Sequence, residues 1–336
     1  MDPKSRITII GTGAVGTSIG MALRQSHDAE HLEIVGHDCE LRHAREAQQL
    51  GGFDRVELNL DLALNTARLV IVAVPLAALR DVTRDLGRLL EPGLGAVITS
   101  IAQLTAPALA WANELIPKGN YFVAGHVTLA PDTAGWEPLS GAAAARADLL
   151  QKATYAIAMQ PDSHPSAIRT VSNLATVLKA QPLLVDPLEH DAASVLAAAL
   201  PDIVAASLFQ TVAEDSGWTE TRRIAGREFA TATAAASGDT ESRRMAALLQ
   251  RATLLRGLDQ FRDRVDALYA AIERGDAEML DATLARTAHA RENWMKGSLG
   301  RSWEVDAAAL QKDGLFRRTL QALVGEGLAK QQRPQS

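Results

Sequence analysis

A strand that runs into a glycine-rich turn and re-emerges at once as a helix leaves a chain few folds to choose from. Arg6-Ile7-Thr8-Ile9-Ile10 is such a strand; it stops at Gly11-Thr12-Gly13-Ala14-Val15-Gly16, and an apolar-periodic segment follows from Thr17 to Arg24. In a G-x-G-x-x-G turn the first glycine permits the tight bend, the second lets a pyrophosphate approach the backbone, and the third lets helix and strand pack closely. Ala14 and Val15 then open the helix, whose free N–H groups and partial positive charge suit a diphosphate. The pattern predicts a dinucleotide site at Gly11, Gly13, Ala14, Val15 and Gly16.

The next strand, Leu32-Glu33-Ile34-Val35-Gly36, ends at His37-Asp38. Asp38 falls about twenty residues beyond Gly16, the spacing of the acid that holds the adenosine ribose. A carboxylate there accepts hydrogen bonds from a 2′-hydroxyl and repels a 2′-phosphate, so NAD is favoured. NADP stays open through Arg42, His43 and Arg45, which are either the solvated start of the next helix or a receiver for a 2′-phosphate with Asp38 turned away.

Further apolar runs read as buried strands at 68–75, 96–100, 121–125, 154–158 and 182–185, with helices near 76–90, 106–116 and 165–179 and a loop of small and polar residues at 127–147. Strands alternating with helices mean an α/β fold with a Rossmann-type doubly wound sheet. From Pro187 strand signals vanish. Alanine- and leucine-rich segments at 187–214, 217–236, 240–274, 276–297 and 306–328 have helical spacing, and the stretch from Ala192 to Leu208 is apolar all round. At 336 residues the chain exceeds what one core sustains. The expected organisation is a dinucleotide-binding domain at 1–186, an all-helical substrate and dimerisation domain at 187–328, and a frayed tail at 329–336. So much apolar helix surface calls for a second copy, and a homodimer is expected.

A net charge of −6 without any basic block argues against a nucleic-acid partner. Neither a membrane-length apolar run nor a signal peptide is evident, so a cytoplasmic protein is expected, with no membrane partner. Cys39 is the only cysteine, read as an incidental thiol, and the eight histidines lack ligand spacing, so no metal site is expected.

Particular residues resemble the prephenate and arogenate dehydrogenase family of tyrosine biosynthesis. They are Ile9 to Ser18, the strand ending Val72-Ala73-Val74-Pro75, Phe122-Val123-Ala124-Gly125-His126, Ala153 to Ile157, and Asp186-Pro187-Leu188-Glu189-His190-Asp191, which matches the family's D-P-x-E-H-D junction. The resemblance spans about residues 1–236. It implies an oxidative decarboxylation of a small cyclohexadienyl acid: hydride passes from the ring carbon bearing the hydroxyl to a nicotinamide, a base takes the hydroxyl proton, and loss of CO2 aromatises the ring. It places Val74 and Pro75 at the cofactor, and His126 as the base, a role suited to a residue that titrates near working pH. His190 is read as part of the junction's capping, with Asp186 and Asp191 serving the helix N-terminus there.

The departures from the family are as informative. Its D-V-x-S-x-K segment is Ser100-Ile101-Ala102-Gln103-Leu104-Thr105, so Gln103 stands where a serine helps hold the substrate hydroxyl; an amide still offers a donor and an acceptor. Its S-H-L-P-H segment is Ala198 to Asp202, and its F-R-D-x-T-R-I-A segment is Phe229 to Ala236, which removes two histidines and two arginines. Arg227 is expected to supply the missing positive charge together with Ser100 as substrate contacts; Arg222 and Arg223 are alternatively a solvated helix face, and Trp136 and Trp218 are either pocket walls or packing. Two other readings remain open: a dehydrogenase or reductase of another small hydroxy or imino acid, and a dinucleotide-binding protein without turnover.

Overall fold

The computed structural model describes residues 4–27, 29–133 and 139–300. They contain eight strands, β1 (Ser5–Ile10), β2 (Leu32–His37), β3 (Arg55–Glu57), β4 (Ala67–Val72), β5 (Val97–Ser100), β6 (Tyr121–Thr128), β7 (Thr154–Ala158) and β8 (Gln181–Val185). Helices alternate with them: α1 (Ala14–Arg24), α2 (Leu41–Gln49), α3 (Leu60–Leu64), α4 (Leu76–Leu89), α5 (Ala106–Leu115) and α6 (Pro165–Val177). After the sheet come α7 (Pro187–Ser194), α8 (Leu200–Ala213), α9 (Trp218–Ile224), α10 (Arg227–Thr233), α11 (Thr240–Leu249), α12 (Arg251–Arg274) and α13 (Ala277–Gly300). The described residues fall into two compact units, those up to 160 with 166–265, and 161–165 with 266–300.

One sheet carries all eight strands in the order β3-β2-β1-β4-β5-β6-β7-β8. Within it β3-β2-β1-β4-β5-β6 is the order of a doubly wound nucleotide fold, whose chain reverses direction of winding between β1 and β4 and leaves a crevice at their carboxyl ends. β4 shows why these strands lie inside: Leu69, Val70, Ile71 and Val72 are all buried, as a strand covered on both faces requires. Around it Ile10, Leu79, Leu86, Ile98, Leu104 and Leu109 form the main core, which Val195, Ala199, Ala246 and Leu254 from the later helices complete.

Several sequence expectations need correction. β3 was not foreseen, because three half-buried residues at a sheet edge carry no apolar pattern. β6 does not stop at Gly125: it pairs in parallel with β5 as far as Ala124 and then runs antiparallel to β7 from Gly125 to Thr128, so the sheet is mixed. The helix expected at 217–236 breaks at Ala225 and Gly226, whose backbones are extended, and glycine favours such a break. That expected at 240–274 breaks at Gln250, which leaves helical geometry. Pro187–Ala213 is one continuous helical run with a π turn over Val195–Ala199; at mean hydropathy 1.8 it is, among the described residues, a helix long and apolar enough to cross a membrane, although Asp191 and Asp202 interrupt its apolar run. Length and composition alone are weak grounds for a span, and Asp191 lies buried within it. The expected helix at 306–328 and the tail lie outside the described residues, as does Trp136.

Candidate functional site

The glycine turn sits at the reversal point of the sheet. Gly11 donates its N–H to the His37 carbonyl at 2.8 Å and Ala73 donates to the Ile10 carbonyl at 2.7 Å, so the turn is stitched to the ends of β2 and β4. At Gly11 φ is +96°, and a Cβ would strike the Ala73 carbonyl; at Gly16 it would overlap the Gly11 carbonyl oxygen. A Cβ on Gly13 would meet nothing within 4 Å. Two glycines are therefore required by the protein itself, whereas the third guards open space. That space belongs to a cavity of about 470 Å³ whose walls include Gly13, Ala14, Val15, Val74, Pro75 and Gly141. Five of the expected cofactor residues thus meet in one place, and a backbone-lined hollow at a helix N-terminus fits a dinucleotide diphosphate.

Asp38 lies at the end of β2 beside this turn. Its Oδ2 accepts hydrogen bonds from the Thr12 N–H at 2.8 Å and the Thr12 hydroxyl at 2.9 Å, and its Oδ1 accepts from the Glu40 N–H at 3.0 Å. Burial opposes ionisation, but these donors, aided by His43 at 3.9 Å, outweigh it and hold the carboxyl below its ordinary pKa. The acid is ionised and fixed at neutral pH. Arg42, His43 and Arg45 are exposed on α2. Burial and the Asp38 carboxylate push the Cys39 thiol up, which fits an unreactive, incidental cysteine.

His126 occupies the point at which β6 leaves β5 for β7, rather than the loop after a strand. Its Nδ1 lies 3.1 Å from Nε2 of His190, and the two rings meet edge-on at 5.2 Å. Nδ1 of His190 lies 2.9 Å from Oδ1 of Asp191, which is fully buried. His190 is therefore a side-chain partner of His126 and not merely a junction residue. Asp186 does cap α7, accepting from the Leu188 and Glu189 N–H groups at 2.9 and 3.1 Å. Asp191 instead serves α5: it accepts from the Thr105 N–H at 2.7 Å, the Thr105 hydroxyl at 2.9 Å and the Ala106 N–H at 2.9 Å. Burial above all, then the neighbouring His190, lower the His126 pKa to about 4 despite the opposing pull of Asp191. His126 is neutral at working pH; a histidine NMR titration should place its own protonation below pH 5, and a midpoint between 6 and 7 would show that burial does not govern it.

The loop tied down by Asp191 carries the remaining substrate candidates. Ser100 stands opposite Ala124 at the end of β5, and its buried Oγ has no hydrogen-bond partner among the described residues; the same holds for Gln103 Nε2. Buried donors without partners are rare, and a ligand that completes them is one of the few reasons to keep them. Arg227 is exposed at the first position of α10 and is not among the cavity's lining residues, and Arg222 and Arg223 are exposed on α9. Trp218 packs with Phe209 and Phe229 at ring distances of 6.1 and 6.2 Å. The half-buried cation that sequence reasoning missed is Arg243, whose Nε lies 3.3 Å from Asp202, the residue at the position of the family's second histidine. Burial raises the Asp202 pKa against the lowering effect of Arg243. Also missed were Gly238 and Asp239, which line the nucleotide cavity, and Ser242, whose Oγ accepts the Ala77 N–H at 3.0 Å. The Asp239-Thr240-Glu241-Ser242 capping pattern was the signal for that helix start: Asp239 accepts from the Glu241 and Ser242 N–H groups.

Comparison with known proteins agrees with this geometry. The nucleotide-binding domain model of prephenate dehydrogenase matches residues 19–184 and its dimerization domain model matches residues 186–286. A prephenate dehydrogenase of Bacillus subtilis is 27% identical over 279 residues, covering 82% of this chain and 72% of the relative. Among solved structures, prephenate dehydrogenase from A. aeolicus, in complex with hydroxyphenyl propionate and NAD+, superposes with a TM-score of 0.75 at 21% identity, covering 86% of this chain and 98% of that one. Synechocystis arogenate dehydrogenase gives a TM-score of 0.67 at 22% identity, covering 86% and 99%. With both consecutive domains matched and the glycine turn, mixed sheet and helical segment in place, this chain belongs to the prephenate dehydrogenase family and is a dehydrogenase.

Proposed function

We propose that the protein performs the NAD-dependent oxidative decarboxylation of prephenate or arogenate, with His126 accepting the proton of the ring hydroxyl. The observation that carries this reading is the meeting, at one end of one sheet, of a cavity lined by the glycine turn and a neutral, half-buried histidine with a fixed partner. Bound nicotinamide would supply the hydride acceptor; Gly13, Ala14 and Val15 would hold the diphosphate, and Val74 and Pro75 would line the same cavity. Gln103 and Ser100, whose buried polar atoms lack partners, are assigned to the substrate. Arg243 replaces Arg227 as the favoured partner of a substrate carboxylate, because it is half-buried and Asp202 holds its Nε, leaving other guanidinium N–H groups for a ligand, whereas Arg227 is exposed. The division at 186/187 is retained, supported by the two family models that meet there, and so is a homodimer through the helical segment, supported by the dimerization model and by exposed Leu196, Ile203 and Leu208 on the apolar helix.

The deciding experiment offers prephenate and arogenate separately, each with NAD and with NADP, and follows the absorbance of reduced nicotinamide. Turnover of one pair supports the reading, and a flat trace with all four overturns it. Asp38 tests the cofactor. Replacing Asp38 with alanine should weaken NAD by about ten- to a hundredfold, the usual worth of a hydrogen bond to a charged group, and NADP less. A larger loss of NADP would place the 2′-substituent at Arg42 and Arg45 instead.

A further inference from the structure

Proton positions along the Asp191–His190–His126 chain follow from its distances. Asp191 accepts four hydrogen bonds, two of them from backbone N–H groups that cannot reverse. It is therefore the fixed acceptor, and the His190 nitrogen 2.9 Å away, Nδ1, must carry a proton. A neutral His190 then has a bare Nε2, which can only receive the Nδ1–H of His126 across 3.1 Å. That leaves a lone pair on Nε2 of His126, the form a proton acceptor needs. One buried carboxylate thus dictates the tautomers of two rings.

We propose that His190 is the resting place of the proton taken from the substrate hydroxyl, with His126 as its carrier and Asp191 as the counter-charge. The assignment of the substrate rests on the proposed function; the proton chain does not. As the O–H bond of the substrate breaks, an N–H bond forms at Nε2 of His126. The Nδ1–H of His126 breaks in turn, and its proton bonds to Nε2 of His190. His126 ends neutral in its other tautomer, and His190 ends as an imidazolium against Asp191, while the hydride of the same carbinol leaves for the oxidised nicotinamide. Charge and atoms balance without any further group. The chain also answers a difficulty: burial makes His126 a poor place to leave a positive charge, whereas His190 lies in direct contact with a carboxylate.

Two measurements test this, one of them without substrate. In the free protein, nitrogen NMR of the histidine rings should show His126 protonated at Nδ1 and bare at Nε2. On acidification, the first proton taken up by the pair should appear on His190, with His126 switching tautomer; its appearance on His126 would overturn the proposal even if neither cyclohexadienyl acid proves to be a substrate. In turnover, His190→Gln retains an acceptor for the His126 Nδ1–H but cannot take the proton. It should lower kcat by about a hundredfold or more with KM within about threefold, and should turn a bowed proton inventory in mixed H2O and D2O into a straight one. Wild-type kcat in that variant with an unchanged inventory would remove His190 from the proton path.

Discussion

Replacing His126 with alanine should lower kcat by about 10²–10⁴-fold, the usual share of a positioned proton acceptor, and should leave nucleotide affinity unchanged. The size follows from the site's construction. His126 is the member of the relay left with a free lone pair, and no other side chain in that chain can stand in, since His190 lies against the opposite ring nitrogen, a ring's width from the Nε2 position, and Asp191 is saturated by four donors. Nucleotide affinity should not move because the glycine turn and the cavity walls do not include His126. Removing one ring of this edge-on pair also leaves His190 without its donor, so the folded state should be checked by thermal melting before kinetics are compared. Turnover within a few-fold of the parent, in a folded variant, would exclude His126 from the chemistry and with it the proposed proton relay.

The second large effect separates two glycines that look alike in sequence. Gly16→Ala places a methyl group within the Gly11 carbonyl oxygen, backbone against backbone, where nothing can rotate aside. The helix must move away from the turn, at a cost of about 1–3 kcal/mol or more for an overpacked site, and the diphosphate cradle moves with it. Both stability and nucleotide binding should fall. Gly13→Val adds its side chain to open space, with a φ of −68° that any residue adopts. Its melting temperature should stay at the parent value, while nucleotide affinity drops by about tenfold or more as the methyl groups occupy the pyrophosphate's path. Denaturant titration read beside nucleotide binding distinguishes the two; equal damage to stability in both variants would mean that the turn is structural and that the cavity does not take the diphosphate.

The nucleotide half of the site was legible because its signals are local. Gly11, Gly13 and Gly16 lie within one turn, and Asp38 is one strand away in a fold whose strand order puts those neighbours together. The catalytic half was legible only in part. His126 was found through the residues around it, but its partner is 64 positions further on and meets it only because the chain folds β6 and α7 onto the same end of the sheet. Asp191 was read as serving its own helix, since a carboxylate near a helix start ordinarily does; it serves α5 instead, a contact across 86 positions. Arg227 was favoured for its nearness to the lost arginines, yet sequence proximity says nothing about burial: Arg227 is exposed and Arg243 is half-buried. The mixed pairing of β6 was hidden for a related reason: Val127 and Thr128 suit a strand, but the direction of their partner is set by the sheet and not by themselves.

The hydrogen bond from the Ala77 N–H to Ser242 has a consequence for how a dinucleotide comes and goes. Ala77 lies in the first turn after Val74 and Pro75, and Ser242 lies in the first turn after Gly238 and Asp239, so the two fastened turns are those that border the cavity. Part of the wall of this cavity is thus borrowed from a stretch of chain that follows the last strand by more than fifty residues. A sheet domain cut off at residue 186 would keep its glycine turn and lose that part of the wall. The stretch that borders this cavity belongs to the same matched segment through which two copies are proposed to join.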